Sequence, residues 1–423
     1  MHIGFCNSFL KLLALTKGCL IVIFCSVSIY SQSSFETEVD SIVYDAIDSL
    51  AFPGAQVLVM KSGEVVFEKS YGYHTYDQKI KVEPHHLYDL ASITKVSTGL
   101  PLLMNLVAKG KVDLDEPASK YLSTFKRSNK KKLSTREILA HQAGLQPYIV
   151  YYADMKNGEK WNRKTFKENP KRRFSVAITD SLFMHKRYQK KMARRIKKTE
   201  LGEKTYRYSG LYFQLLPQLI EKIKGRSFLD VLTTELYEPL EITKGLTYLP
   251  KTSHALQEIV PTEIDSNFRM QLVHGTVHDE AAAMWGGVSC NAGLFGNARS
   301  LGTLFQVFLD DGLYKGRRFI DSTAIAEFTS CQYCETENRR GLGFDKPRLE
   351  YDETLSSVAK DASPESFGHS GFTGTLVWAD PKYELVYVFL SNRVYPSRKH
   401  RNLYEMNVRP KIHQLVYDYY KDD

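Results

Sequence analysis

Apolar residues recur at three-then-four spacing through Ile93, Val96, Leu100, Leu103, Met104 and Val107, which predicts a helix over 89–109 with one buried face. Gly110 stands where such a helix would stop, and Lys109 suits its negative end. Pro101 lies inside this run and predicts a bend, because it removes a backbone donor. The same spacing predicts helices over 36–50 (Val39, Ile42, Val43, Ala46, Ile47), 135–141, 210–224 (Leu211, Leu215, Leu216, Leu219, Ile220, Ile223), about 301–311, and 402–420. Thr135 is the expected cap of the second of these, and Gly144 and Gly225 the expected stops. β-Branched runs predict a hairpin from 56–60 and 64–67 around Lys61-Ser-Gly63, and strands over 374–379 and 385–390. Helix, hairpin, a helical middle, strands and a last helix form an α+β pattern. It implies an antiparallel sheet built from both chain ends, flanked by helices, with an inserted helical lobe.

Composition changes this picture in three places. Of 423 residues, 43% are hydrophobic and 25% charged, which is ordinary for a globular protein. The net charge of +9 suggests nucleic acid until it is located. Residues 156–200 hold sixteen Lys or Arg against four acids, and the rest of the chain is close to neutral. A basic insertion over about 150–204, folding as helices and loops, explains the excess without a nucleic-acid partner. Its excess charge suits an anionic cell-wall or membrane surface, through residues 155–200.

At the N-terminus, Lys11 and Lys17 precede the apolar run that starts at Cys19, and Ser26, Ser28 and Ser31 follow it. This predicts an export signal over 1–31 ahead of one domain over 32–423, hence a periplasmic or secreted protein. An uncleaved leader would instead anchor it to a membrane. Three cysteines fall in that leader, and Cys290, Cys331 and Cys334 remain. An odd count gives no disulfide framework. Cys331-Gln-Tyr-Cys334 reads as a local disulfide, or two plain thiols, rather than zinc.

The chemistry centres on Ser92 and Lys95 at the start of the 89–109 helix. Three residues apart, they project from the same side, so the amine can reach the hydroxyl. The free N–H groups of a first turn favour negative charge developing nearby. A serine, an adjacent base and an electropositive helix start are what a serine nucleophile needs. Spacing alone is weak evidence, since Ser123/Lys126 and Ser128/Lys131 repeat it in a polar loop. Gly368-His-Ser-Gly-Phe372 imitates the Gly-x-Ser-x-Gly elbow. It fails at the last glycine, and a strand follows where the elbow needs a helix. The glycine-rich loops of 261–298 are long enough to suggest function. Within them Gly275 separates His274 from His278, Asp279 and Glu280, which argues against a helical metal site and for loop-fixing hydrogen bonds.

In order and spacing, Ser92-Ile-Thr-Lys95, Leu114-Asp-Glu-Pro117, Tyr121-Leu122 and Thr135-Arg-Glu-Ile-Leu-Ala-His-Gln-Ala-Gly-Leu145 resemble the penicillin-recognising serine hydrolases: class C β-lactamases, D-alanyl-D-alanine carboxypeptidases and related esterases. The resemblance runs from Phe52 to Pro396 and implies a β-lactamase/transpeptidase-like fold with no metal and no cofactor. It implies that Ser92 is the nucleophile, with Lys95 and Tyr208 handling its proton. Tyr208-Ser-Gly210 places Gly210 where the family has an asparagine, so an amide that binds the acyl side chain is missing. Gly368-His-Ser-Gly-Phe-Thr-Gly374 puts His369 where the family has a lysine, which weakens the grip on a substrate carboxylate near neutral pH. Ser370, Gly371, Gly210 and His278 are the expected substrate contacts, and the backbone N–H groups of Ser92 and Phe372 the expected oxyanion hole. The implied activity is acyl-enzyme hydrolysis of D-amino-acid cell-wall peptides or small esters, with β-lactams less favoured. The alternative is a non-catalytic penicillin-binding or wall-binding module.

Overall fold

The computed structural model describes residues 34–157 and 160–422, so the predicted leader lies outside the described residues. Helix 34–48 opens the described chain and buries Phe35, Val39, Val43 and Ala46. Strands β1 (Gly54–Lys61) and β2 (Glu64–Gly72) follow as a hairpin. Its turn residues Ser62 and Gly63 both have positive φ, 48° and 84°, as a two-residue turn matched to strand twist requires. The other three strands come from the far end of the chain: β3 (Phe367–Ser370), β4 (Leu376–Asp380) and β5 (Leu385–Ser391). The sheet order is β3-β4-β5-β1-β2, antiparallel throughout, with Val57 opposite Phe389 where the two chain ends meet.

Strands β1 and β5 read as unbroken apolar runs because both faces of the sheet are covered. Val57, Val59, Tyr387 and Phe389 face one cluster with helix 34–48 and the C-terminal helix Val408–Tyr420. Leu58, Met60, Val386 and Val388 alternate to the other face and join the larger core with helix Ala298–Leu309 and the helical lobe.

Several predicted elements shift. The C-terminal helix is broken at Asn407, which is left-handed (φ 54°), into Asn402–Glu405 and Val408–Tyr420. Ser134, not Thr135, caps helix Thr135–Leu139, in a capping box with Glu137. The helix expected from 210 begins at Leu216 and ends on left-handed Gly225 as expected. Pro101 does not fall in the interior of one continuous α-helix. A π-helical stretch, Lys95–Gly99, precedes the α-helix Leu100–Ala108, so Pro101 falls in a first turn where a missing N–H costs little.

The insertion departs furthest. In place of helices and loops alone it forms the short hairpin 156–157/Lys160–Trp161, a three-stranded sheet (Phe166–Lys167, Leu182–Met184, Val176–Thr179) and one helix, Tyr188–Lys198. Buried Lys130 holds that helix to the lobe, its Nζ donating to the carbonyl of Thr199 (2.5 Å) and to Asn129 Oδ1 (2.8 Å). Cys331 and Cys334 form a local disulfide. No helix among the described residues is long and apolar enough to cross a membrane.

Candidate active site

The site lies where the helical lobe meets the edge of the sheet. Tyr88–Asp89 pairs with Leu294–Gly296, then the chain turns through Ala91–Ile93 into the nucleophile helix. Asp89 pins this turn. Its buried Oδ1 accepts the Ala91 N–H (2.9 Å) and its Oδ2 the His278 N–H (2.6 Å). Burial pushes the Asp89 carboxyl pKa up, and the two N–H donors pull it back. Ala91, directly before Ser92, is held at φ 46°, a strained conformation for a residue with a Cβ.

Ser92 Oγ accepts two hydrogen bonds, from Lys95 Nζ at 2.9 Å and from the Tyr208 hydroxyl at 3.0 Å. Lys95 is buried and also donates to the carbonyl of Asn291 (3.0 Å). Among the described residues no carboxylate lies within ion-pair distance of it. Asn291 is itself fixed by Asp279 and Ser289 through its side-chain amide. The structure thus brings together Ser92, Lys95 and Tyr208, and adds Asn291 from the glycine-rich loops.

Tyr208 is braced from behind by residues that the sequence reading did not select. The His141 ring lies 4.6 Å from it, and His141 Nδ1 accepts the Ser209 N–H (3.2 Å). That bond makes Nδ1 the bare nitrogen, so the neutral ring carries its proton on Nε2. The guanidinium of Arg340, 3% exposed, lies 5.1 Å from the Tyr208 ring and 3.3 Å from Asp345. Burial raises the Asp345 carboxyl pKa, but Arg340 and Arg339 outweigh it and hold it below the usual range.

His369 on β3 completes this wall, 6.0 Å from the Tyr208 ring. Burial, then the nearby charges of Arg340 and Lys95, push its pKa down to about 3, so it is neutral at pH 7. Its Nδ1 must donate to the Ser370 carbonyl (2.7 Å), because a carbonyl only accepts. Nε2 is left as a lone pair, buried and without a hydrogen-bond partner among the described residues, and the N–H groups at His141 Nε2 and Arg340 Nε are buried and unpartnered there as well. Where a lysine would offer a cation, this chain offers an acceptor.

The β3–β4 turn is stitched to the nucleophile strand. Thr373 Oγ1 donates to the Asp89 carbonyl (2.7 Å) and Thr375 Oγ1 to that of Leu90 (3.3 Å). Gly371 makes this possible, since a Cβ there would stand 2.6 Å from the Leu90 carbonyl oxygen. Phe372 is half exposed at the mouth. The backbone N–H groups of Ser92 and Phe372 donate to no acceptor among the described residues. His278 sits one layer back. Its Nε2 is committed to Glu263 Oε2 (2.7 Å) and its ring stacks on Phe372 at 5.7 Å, so it meets the site through Phe372. His274 bonds the Ile259 carbonyl, the loop-fixing role expected of this block. Gly210 leaves a gap, for a Cβ there would meet only Asn291 Cβ, at 3.6 Å. Ser370, at the end of edge strand β3, is partly exposed.

Comparison with known proteins agrees with this geometry. The chain is 29% identical over 386 residues to an N-acetylmuramyl-L-alanine amidase of Bacillus subtilis (strain 168), covering 85% of this chain and 80% of that protein. It is 30% identical over 385 residues to a Salmonella enteritidis PT4 homologue named as a D-alanyl-D-alanine carboxypeptidase, covering 84% and 82%. Its fold superposes on a penicillin-binding protein homologue from Caulobacter crescentus (TM-score 0.64, 18% identity, 90% and 96% covered). It also superposes on a class C β-lactamase (TM-score 0.62, 16% identity, 92% and 98% covered). The Beta-lactamase family model matches residues 39–408, and the chain, a serine hydrolase by this relationship, belongs to that family.

Proposed function

We propose that the protein hydrolyses amide bonds of cell-wall peptides through an acyl-enzyme on Ser92, after export from the cytoplasm. The observation that carries this is the double contact of Ser92 Oγ with Lys95 Nζ and the Tyr208 hydroxyl. Lys95 takes the Ser92 proton as Oγ attacks the carbonyl. The N–H groups of Ser92 and Phe372 receive the oxyanion. Tyr208 passes a proton to the leaving amine, and the same pair later activates the water that releases the acyl group.

D-Amino-acid stem peptides are the leading substrate class, with small esters next and β-lactams third. Neutral His369 favours a second reading within the same chemistry. A D-alanyl-D-alanine carboxypeptidase releases an amino acid with a free carboxylate, and His369 offers that group no charge. An N-acetylmuramyl-L-alanine amide, the bond in the name of the Bacillus relative, has no carboxylate at that place.

The test is intact mass after exposure to a fluorophosphonate and to a labelled penicillin, on wild type and Ser92→Ala, followed by digestion of purified muropeptides. A Ser92-dependent adduct with release of D-alanine supports the carboxypeptidase reading. Release of an intact stem peptide supports the amidase reading. No adduct on folded protein, and no muropeptide turnover, overturns both in favour of a non-catalytic binding module.

A further inference from the structure

The hairpin Glu263–Asp265/Gln271–Val273 has its pattern inside out. Glu263 and Asp265 are buried, paired with Arg398 and Arg269 respectively. Their neighbour Ile264 and its cross-strand partner Leu272 face outward, 52% and 41% exposed, and Met270 at the turn is 62% exposed. Charges inside and aliphatics outside is the reverse of a strand pair whose outer face meets water.

The basic insertion is fixed against this hairpin. Phe268 packs on Trp161 (5.3 Å), Phe166 (6.0 Å) and Tyr152 (4.6 Å), and Ser181 bonds Gln271 (3.2 Å). Between them lies a concavity of about 640 Å³ lined by Lys160, Arg163, Lys167 and Lys171, with Met270 on its rim. Across residues 160–200, twelve Lys or Arg are exposed against three acids. None of the twelve has a carboxylate within ion-pair distance among the described residues.

We propose that hairpin and insertion form one docking surface for an anionic lipid bilayer. Ile264, Met270 and Leu272 enter the boundary between headgroups and acyl chains, and the surrounding cations meet lipid phosphates. Charge complementarity selects the anionic partner. The projecting aliphatics select a bilayer over a hydrated polyanion, which has no apolar layer to receive them. Glu263 also bonds His278, which stacks on Phe372, so this surface adjoins the mouth of the Ser92 site.

The experiment is co-sedimentation of the full chain with vesicles of phosphatidylcholine alone and of phosphatidylcholine with phosphatidylglycerol. Wild type is compared with Ile264→Ser/Leu272→Ser, the single change Met270→Glu, and Lys160→Glu/Arg163→Glu/Lys171→Glu. Unchanged Ser92 labelling by a fluorophosphonate certifies folding. Met270→Glu, at an exposed turn, keeps the test decisive if a multiple variant fails that check. Partitioning onto anionic vesicles should fall at least tenfold in each variant and in raised salt, with little wild-type binding to neutral vesicles. Wild-type partitioning in Met270→Glu and the charge variant, or equal binding to both lipids, overturns the proposal. So does a result in which the charge variant loses affinity for soluble polyphosphate while vesicle binding is unchanged, which would make the partner a wall polyanion.

Discussion

Two Ser-x-x-Lys stretches, at Ser92 and Ser128, lie 36 residues apart and share nothing but spacing. At Ser92/Lys95 the lysine is buried and its amine stands 2.9 Å from the hydroxyl. At Ser128/Lys131 the serine closes a turn, donating to the Phe125 carbonyl (2.9 Å) and accepting the Lys130 N–H (3.1 Å), and Lys131 points to solvent. Ser123 and Lys126 are both exposed. The difference is what surrounds the motif. Strand Tyr88–Asp89, the stitched β3–β4 turn and Asn291 hold the first pair in place, whereas the second lies in a polar loop that water satisfies. A motif becomes a site only when the fold removes the solvent that would otherwise compete for both groups.

The largest effect should come from the first pair itself. Ser92→Ala should lower turnover of any accepted amide or ester by on the order of 10⁴-fold or more, and Lys95→Ala by roughly 10²–10⁴-fold. Full rate in either variant would end the proposed mechanism. Gly371→Ala tests the stitching. With a Cβ forced onto the Leu90 carbonyl, kcat/KM should fall about 10²-fold, while a crystal structure should find the β3–β4 turn displaced and the core unchanged.

Arg340→Leu removes a buried charge partner from Asp345. Arg339 remains at 2.9 Å, so the stability loss should be about 2–3 kcal/mol, below the full cost of stranding a buried charge. Chemical denaturation measures it, and a midpoint equal to wild type would contradict the burial argument.

Acid should act through the buried histidines. His369 and His413 are held neutral, each with a pKa pushed down to about 3, by burial first in both cases. The unfolded chain takes up these protons near pH 6.5, and the fold refuses them. Their contribution to stability is therefore complete above about pH 6.5 and is lost as pH falls from there toward 3, at about 1.4 kcal/mol per pH unit for each. His413→Gln should make the decline between pH 7 and pH 5 shallower, read from denaturation midpoints. The smallest effect closes the comparison: Lys126→Ala and Lys131→Ala should leave both rate and stability within about twofold and 0.5 kcal/mol.

Much of the framework was legible because its cause is local. The alternation in 56–60 and 385–390, the stripe from Ile93 to Met104 and the stop at Gly225 each need only neighbouring residues to be read. The insertion was misjudged because its strands are two to four residues long, too short for periodicity to register. His141 lay within a quoted motif but gave no sign of its left-handed backbone (φ 59°) or of the ring it presents to Tyr208. Arg340 carried no signal at all.

What the sequence determined by itself is the alphabet of the site: a serine and a lysine one helical turn apart, a tyrosine ahead of a helix, and a histidine before a glycine on an edge strand. Only the tertiary structure decided which Ser-x-x-Lys is enclosed, that Asn291 receives the Lys95 amine, and that His369 presents a lone pair where a lysine would present a cation. The physical reason is that side-chain identity is written residue by residue, whereas desolvation and charge are set by groups far apart in the chain. Arg340 lies 132 residues beyond Tyr208 and 29 before His369, and no local pattern announces that the three share one wall.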